Sequence, residues 1–457
     1  MILKNKRFQF ILLLGLIFSA VGVFANSGEA THEYAVTFLW IAIILIFAKL
    51  SSLVEKFGQP AVLGELVIGI ILGNLGLLGM HLLEPLGHSN IIGFLAELGV
   101  VILLFQIGLE SNIAEMGKVG VRAFLVAIIG VVVPFITGTF VGQLLMPGLE
   151  LNAYLFMGAA LTATSVGITA RVFKDLGKLQ IKEAKIVLGA AVIDDVLGLV
   201  ILAVVSAMAT AGTVSAGEVG FILGKAILFL VAAVVIGHFS APTIGRIFSK
   251  IHTGVGMKLT MALCFGLVFA YLANLIGLAA IVGAFAAGLV LDPVHFRRFN
   301  KPRVCHDLEK HFNSESASEH QEKVAHMIKE HDHKHVEDII EPIGHFLVPI
   351  FFVMTGFMVK LETLFDVKII LIALAITVVA IIGKVLAGTA AGKVNKWLVG
   401  FGMVPRGEVG LIFATIGKGI GVVNDAVFSV IVIMVILTTL VTPPILNIYL
   451  KKMDKKD

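Results

Sequence analysis

"AAVIDDVLGLVI", residues Ala190–Ile201, sets two adjacent carboxylates, Asp194 and Asp195, inside a run that carries no other charge from Ile186 to Ala216. A run of that length and apolarity is what a helix needs to cross a bilayer, so both acids fall where charge is most penalised. Similar runs recur along almost the whole chain: 58% of its 457 residues are hydrophobic and only 14% are charged. The composition specifies an all-α polytopic membrane protein.

Beyond the first residues the hydropathy pattern predicts about thirteen transmembrane helices. They fall near 34–54, 60–80, 91–110, 119–145, 153–174, 182–210, 219–239, 258–275, 278–292, 341–361, 366–391, 402–420 and 425–450. Residues 1–25, with a basic start (Lys4, Lys6, Arg7) and an apolar stretch, read as a cleavable signal peptide or as an extra span. Lysine and arginine then test the assignment. One set of loops holds Lys49, Lys56, Lys118, Arg122, Arg171, Lys174, Lys178, Lys182, Lys185, Arg246, Lys250, Lys258, eight basic residues in 293–340, Lys393, Lys396, Arg406 and the tail 451–457, whereas the opposite set holds only Lys360, Lys368 and Lys418. The crowded side is cytoplasmic, which places the C-terminus inside and the segment after Ala25 outside. The net charge of +4 therefore reports topology and gives no sign of a nucleic-acid partner.

Two other spans are weakened at a depth similar to the acid pair. "LTATSVGIT" (161–169) brings Thr162, Thr164 and Ser165 together ahead of Gly167, and "GMVPRGEVGLIFATIGKG" (402–419) contains Pro405, Gly407 and Gly410. Hydroxyls compete for backbone hydrogen bonds, and proline and glycine interrupt helices. Broken helices at membrane depth are tolerated where they are buried or line a wet cavity, and a pair of them in two halves of a chain points to a transporter's binding site. The halves are 60–210 and 278–450, with two connecting spans between. Seven spans separate equivalent helices, so the second set of five runs inverted relative to the first. In this register the two broken spans correspond, and 119–145 corresponds to 366–391, which carries Lys384 in "AIIGKVLAGTAAG".

An aspartate or lysine at a helix centre costs about 2.5 to 3.5 kcal/mol on insertion scales. Pairing lowers that cost. A structural ion pair would explain Lys384 and one acid but leaves the other acid without a reason. Neighbours on a helix point about 100° apart, so one acid can face Lys384 while the next faces a cavity.

"LTATSVGITARVFKDLG", "AAVIDDVLGLVI", the intramembrane "GKVLAG" and "VPRGEVGLIFATIG", in that order, resemble the monovalent cation:proton antiporter-2 family, especially bacterial sodium/proton antiporters of the NapA and GerN type. The resemblance covers about residues 34–450 and implies an NhaA/NapA-like fold in which two crossing broken helices sit in a mobile core (91–210 and part of 341–450). That core slides against a dimerisation part (34–80 and 219–292) of a homodimer in a bacterial plasma membrane. It implies that Asp195 is the main ligand for cation or proton, that Asp194 pairs with Lys384, and that Thr164 adds an oxygen, with Thr162 and Ser165 close by. Arg406 and Glu408 read equally as a brace for the second broken helix. Gln106 and Glu110 in "LLFQIGLE" read as packing and a cytoplasmic funnel.

The chemistry follows from burial, which penalises the charged form of a carboxylate and of an amine alike, so both can exchange protons. Small hard cations prefer oxygen ligands. Cation and proton compete for one carboxylate, and each expels the other. If cation binding also frees Lys384 to release a proton, two protons move against one cation and exchange is electrogenic.

Other classes fit less well. An intramembrane aspartyl protease needs its two acids on different helices with a GxGD pattern, and neither holds here. A divalent-metal exporter is suggested only by the loop 293–340, with eight histidines including the stretch "EHDHKH" (330–335), since the spans lack matching histidines apart from His345. That loop reads as a linker, a pH sensor or a metal-regulated switch. Cys264 and Cys305 form no disulfide framework or zinc motif. No nucleotide loop, haem motif or nucleophile triad is present, so no cofactor and no enzymatic chemistry are expected. Kef-type potassium efflux systems usually append a nucleotide-binding domain, and no such segment follows the last span here. Sodium or lithium is favoured over potassium by the intact acid pair with Lys384.

Overall fold

The computed structural model describes residues 31–57, 59–79, 83–110, 120–175, 178, 181–211, 216–291, 296, 299 and 319–454. Residues 1–25, Cys305, the first part of the histidine loop and Lys455 and Lys456 lie outside the described residues, as do the side chains of the histidines between 320 and 335. The described chain is helical, with no β-strand. In order come α1 (Thr31–Ser51), α2 (Ala61–Gly73), α3 (Asn90–Glu110), α4 (Val121–Leu145), α5 (Leu151–Ala160), α6 (Val166–Asp175), α7 (Lys182–Ala211) and α8 (Ala216–Ile251). They are followed by α9 (Val255–Leu275), α10 (Ala280–Val290), α11 (Glu319–Phe357), α12 (Val367–Ala387), α13 (Lys396–Gly402), α14 (Glu408–Gly419) and α15 (Asp425–Asp454). Among the described residues nine helices are long and apolar enough to cross a membrane, while α2, α5 and α10 are apolar but shorter.

Two helices extend beyond their expected ends. The span expected at 219–239 continues to Ile251 as α8 and contains Pro242. A proline interrupts one helical hydrogen bond and bends the axis, and the chain can continue when apolar positions such as Ile244, Ile247 and Phe248 keep the helical period. The span expected at 341–361 starts at Glu319, because "EHQEKVAHMIKE" is rich in residues that lose little freedom in a helix. The half of the histidine loop from 319 onward is thus backbone-continuous with a membrane span.

The chain divides into two compact units. The smaller comprises residues up to Gly99 with Phe346–Asp366. Its interior gathers Trp40, Ile43, Ile44, Leu72, Ile350, Val353 and Met354. Here α2 meets the end of α11 so closely that a Cβ on Gly69 would collide with Val353 O, and one on Gly356 with Leu66 O. Asn74 fastens the same meeting point: its Nδ2 donates to Ile70 O and Val359 O, and its Oδ1 accepts from Leu361 N–H, each at 2.8 Å.

The larger unit, Val100–His345 with Val367–Asp457, holds the acid pair. Within it α4 packs against α5, α7 and α12, and α15 packs against α12 and α14. Small residues set the spacing. Gly383 of α12 lies against Pro134 of α4, where an added Cβ would be 3.0 Å from the proline ring. Gly158 of α5 approaches Phe135 O and the Thr139 hydroxyl of α4 too closely for any side chain. In "GAFAAG", Gly283 and Gly288 likewise abut Phe269 O and Phe105 O.

Candidate ion-exchange site

Both weak spans are broken where their sequences suggest. The first stops at Ala160 and restarts at Val166, and the second stops at Gly402 and restarts at Glu408. Unwinding exposes backbone groups that hydrocarbon cannot satisfy, and the two segments satisfy one another. Ser165 N–H donates to Pro405 O at 2.8 Å, Thr164 Oγ1 to Met403 O at 3.2 Å and Thr169 Oγ1 to Gly402 O at 2.7 Å. Thr162 Oγ1 donates to Ala159 O at 2.7 Å and closes the end of α5. The Thr162 and Thr169 hydroxyl protons go to carbonyls, which leaves those oxygens free to accept.

Lys384 Nζ donates to Asp194 Oδ1 at 2.8 Å, and neither side chain is exposed at all. Asp194 as a residue is 1% exposed and Asp195 8%, so the first acid is sealed and the second stands at the edge of the buried region. Lys384 reaches this place from the last turn of α12, beside Gly130 of α4, where a Cβ would sit 3.5 Å from Nζ. Thr164 hydrogen-bonds Asp194 through its side chain, Arg406 acts on the same acid electrostatically, and Asp195 feels Asp194, Glu408, Lys384 and Glu110.

Arg406 is fully buried and its hydrogen bonds serve the break: its guanidinium donates to Val404 O at 2.6 Å, and to Met403 O and Ala380 O at 3.2 Å. The Thr439 hydroxyl of α15 donates to Arg406 O. Glu408 opens α14, where a helix N-terminus favours a negative group, and accepts a hydrogen bond from Ser165 Oγ at 3.4 Å. Arg406 and Glu408 are not joined by any described hydrogen bond or ion pair. The Gln106 amide lies against Gly344, Glu110 is exposed within electrostatic reach of Glu341 and Glu408, and Glu341 pairs with exposed His345 at 3.6 Å. No group of three or more metal-ligating side chains occurs among the described residues.

The breaks, the acid pair and Lys384 thus converge. Thr169, Thr439 and Ala380 are part of the same assembly and escape a reading for charge. Hydroxyls in the otherwise apolar "TTLVTPP" (438–444) were the available signal for Thr439, and a backbone carbonyl such as Ala380 O leaves none.

Interrupted helices that meet around buried charges in an integral, multi-pass membrane protein define a transporter, not an enzyme. The chain belongs to the sodium/hydrogen exchanger family of transmembrane proteins, whose pattern it matches over residues 41–314 and 320–452. It is 34% identical to the high-affinity Na(+)/H(+) antiporter NhaS3 of Synechocystis, across 92% of this chain and 91% of that protein. It is 33% identical to the Na(+)/H(+)-K(+) antiporter GerN of Bacillus cereus, across 92% and 97%. Among solved structures it is similar to the sodium proton antiporter MjNhaP1 of Methanocaldococcus jannaschii, with a TM-score of 0.61 at 15% identity, covering 90% of this chain and 97% of the other. That last likeness carries the fold.

Proposed function

We propose that the chain is a secondary active antiporter that exchanges a monovalent cation, Na+ or Li+ in preference, for protons at Asp194 and Asp195. The observation that carries this reading is the sealed Lys384–Asp194 pair next to a second acid that is nearly buried and has no such ion pair among the described residues. A cation needs several oxygens to replace its water, and Asp195, Thr164, Thr162 and Ser165 supply them. When a proton occupies Asp195 its charge is gone and the cation leaves. When the cation occupies it, the proton is displaced. Cation binding also draws Asp194 from Lys384, which then gives up a proton, so exchange moves net charge.

The antiporters NhaS3 and GerN support sodium, and the potassium in the printed name of GerN supports K+/H+ exchange as the second reading. Two inverted five-helix repeats, a mobile core and a homodimer complete the proposal, with the C-terminus on the cytoplasmic face of a bacterial plasma membrane. Everted vesicles that carry a pH-sensitive dye test it. Addition of sodium or lithium dissipates the proton gradient, potassium does so less, and Asp195→Asn abolishes the response. Unaltered exchange in Asp195→Asn refutes the site.

A further inference from the structure

Glu183 lies in the first turn of α7, eleven residues before Asp194, and is 9% exposed. No surface role accounts for it. Its Oε1 accepts the backbone N–H of Asn395 at 3.0 Å. Asn395 is in turn the N-cap of α13, and its side chain accepts Leu398 N–H at 3.1 Å. One turn along α7, Val187 packs on Gly402 at the other end of α13, so that a Cβ there would come within 2.9 Å of a valine methyl. The carbonyls at that end, Gly402 O and Met403 O, are those that accept Thr169 and Thr164. Helix α13 has 7 residues, too few to persist without support.

We propose that Glu183 is a positioning residue for exchange: through Asn395 it ties the first half of the second broken helix to the helix that bears the acids, and so fixes where Thr164 stands relative to Asp195. The proposal rests on the reading that these two residues hold the cation. It requires reach and an acceptor oxygen and makes no use of the field of the charge. Aspartate keeps the charge and loses the reach, whereas glutamine keeps the reach and an acceptor.

The test uses the full-length chain in proteoliposomes, with sodium-dependent proton exchange and amide hydrogen exchange measured on the same variants. Glu183→Asp and Glu183→Ala raise the apparent KM for sodium by up to about tenfold, the size of effect that loss of one hydrogen bond produces. Both also lose protection at the Asn395 and Leu398 amides. Glu183→Gln stays near the parent in both measurements. The proposal is overturned if Glu183→Asp keeps the parental KM, whether or not those amides lose protection, or if Glu183→Gln is as impaired as Glu183→Asp. Asp195→Asn serves as the separate control. If it exchanges like the parent, the cation site is misassigned, while the amide protection still decides whether Glu183 holds α13.

Discussion

Lys384 and Asp194 form a pair whose removal is easier to predict than its net worth. Two charges taken out of water lose hydration that their attraction only partly returns, yet deletion of one strands the other. Lys384→Ala is therefore expected to lower stability by about 3 to 5 kcal/mol, read from thermal unfolding in detergent. The double variant Asp194→Asn, Lys384→Met is expected to recover much of that loss. The functional outcome is separable: Lys384→Met retains any electroneutral exchange but shows no net current in proteoliposomes, and an unchanged current would remove the lysine from the mechanism. At this scale the sequence displays Asp194, Asp195 and Lys384 because each interrupts an apolar run. It does not display Arg406 as a donor to carbonyls, since an arginine beside a glutamate in "PRGE" reads as an ion pair until the unwound backbone shows where its protons go.

The two breaks touch at a glycine. Space is closed there: a Cβ on Gly407 would stand 2.7 Å from Ser165 Oγ. Gly407→Ala should separate Ser165 from Glu408 and move the first break while leaving the helices formed. A misplacement on the order of 1 Å can cost up to about a hundredfold in a binding or reacting site. The expected result is an apparent cation KM raised about tenfold with folded yield preserved, and wild-type affinity in this variant would mean that the breaks do not need their present contact. The interruptions themselves were readable from hydroxyl, proline and glycine clusters. The lengths of α8 and α11 were not, because a tolerated proline and a polar helix-forming stretch both look like ends when hydropathy is the guide.

For the whole molecule, the proposed sidedness rests on the loops. Basic residues on one set of loops support the proposed orientation, under which Lys393→Cys, in a background with Cys264 and Cys305 replaced, should react with an impermeant maleimide only after cells are opened. Lys360→Cys should react in intact cells. The reverse labelling would invert the topology and with it the side from which Asp195 is first reached. The membrane class and the exchanger family were legible from composition and four ordered motifs. The boundaries of the two compact units were less so, since two of the three fall at Gly99 and Phe346, within α3 and α11, where no linker composition marks a division.

The carbonyls from Gly402 to Arg406 are all engaged, by Thr169, Thr164, Arg406, Ser165 and Thr439. Main-chain oxygens at an unwound turn are a ready substitute for hydration water, but here that rim is already spoken for. At the site proposed above, this second break then offers an ion titratable and hydroxylic side chains in place of its water. Discrimination between ions of different radius then depends on a few residues that single-codon changes can alter, and the scaffold that carries them can stay as it is.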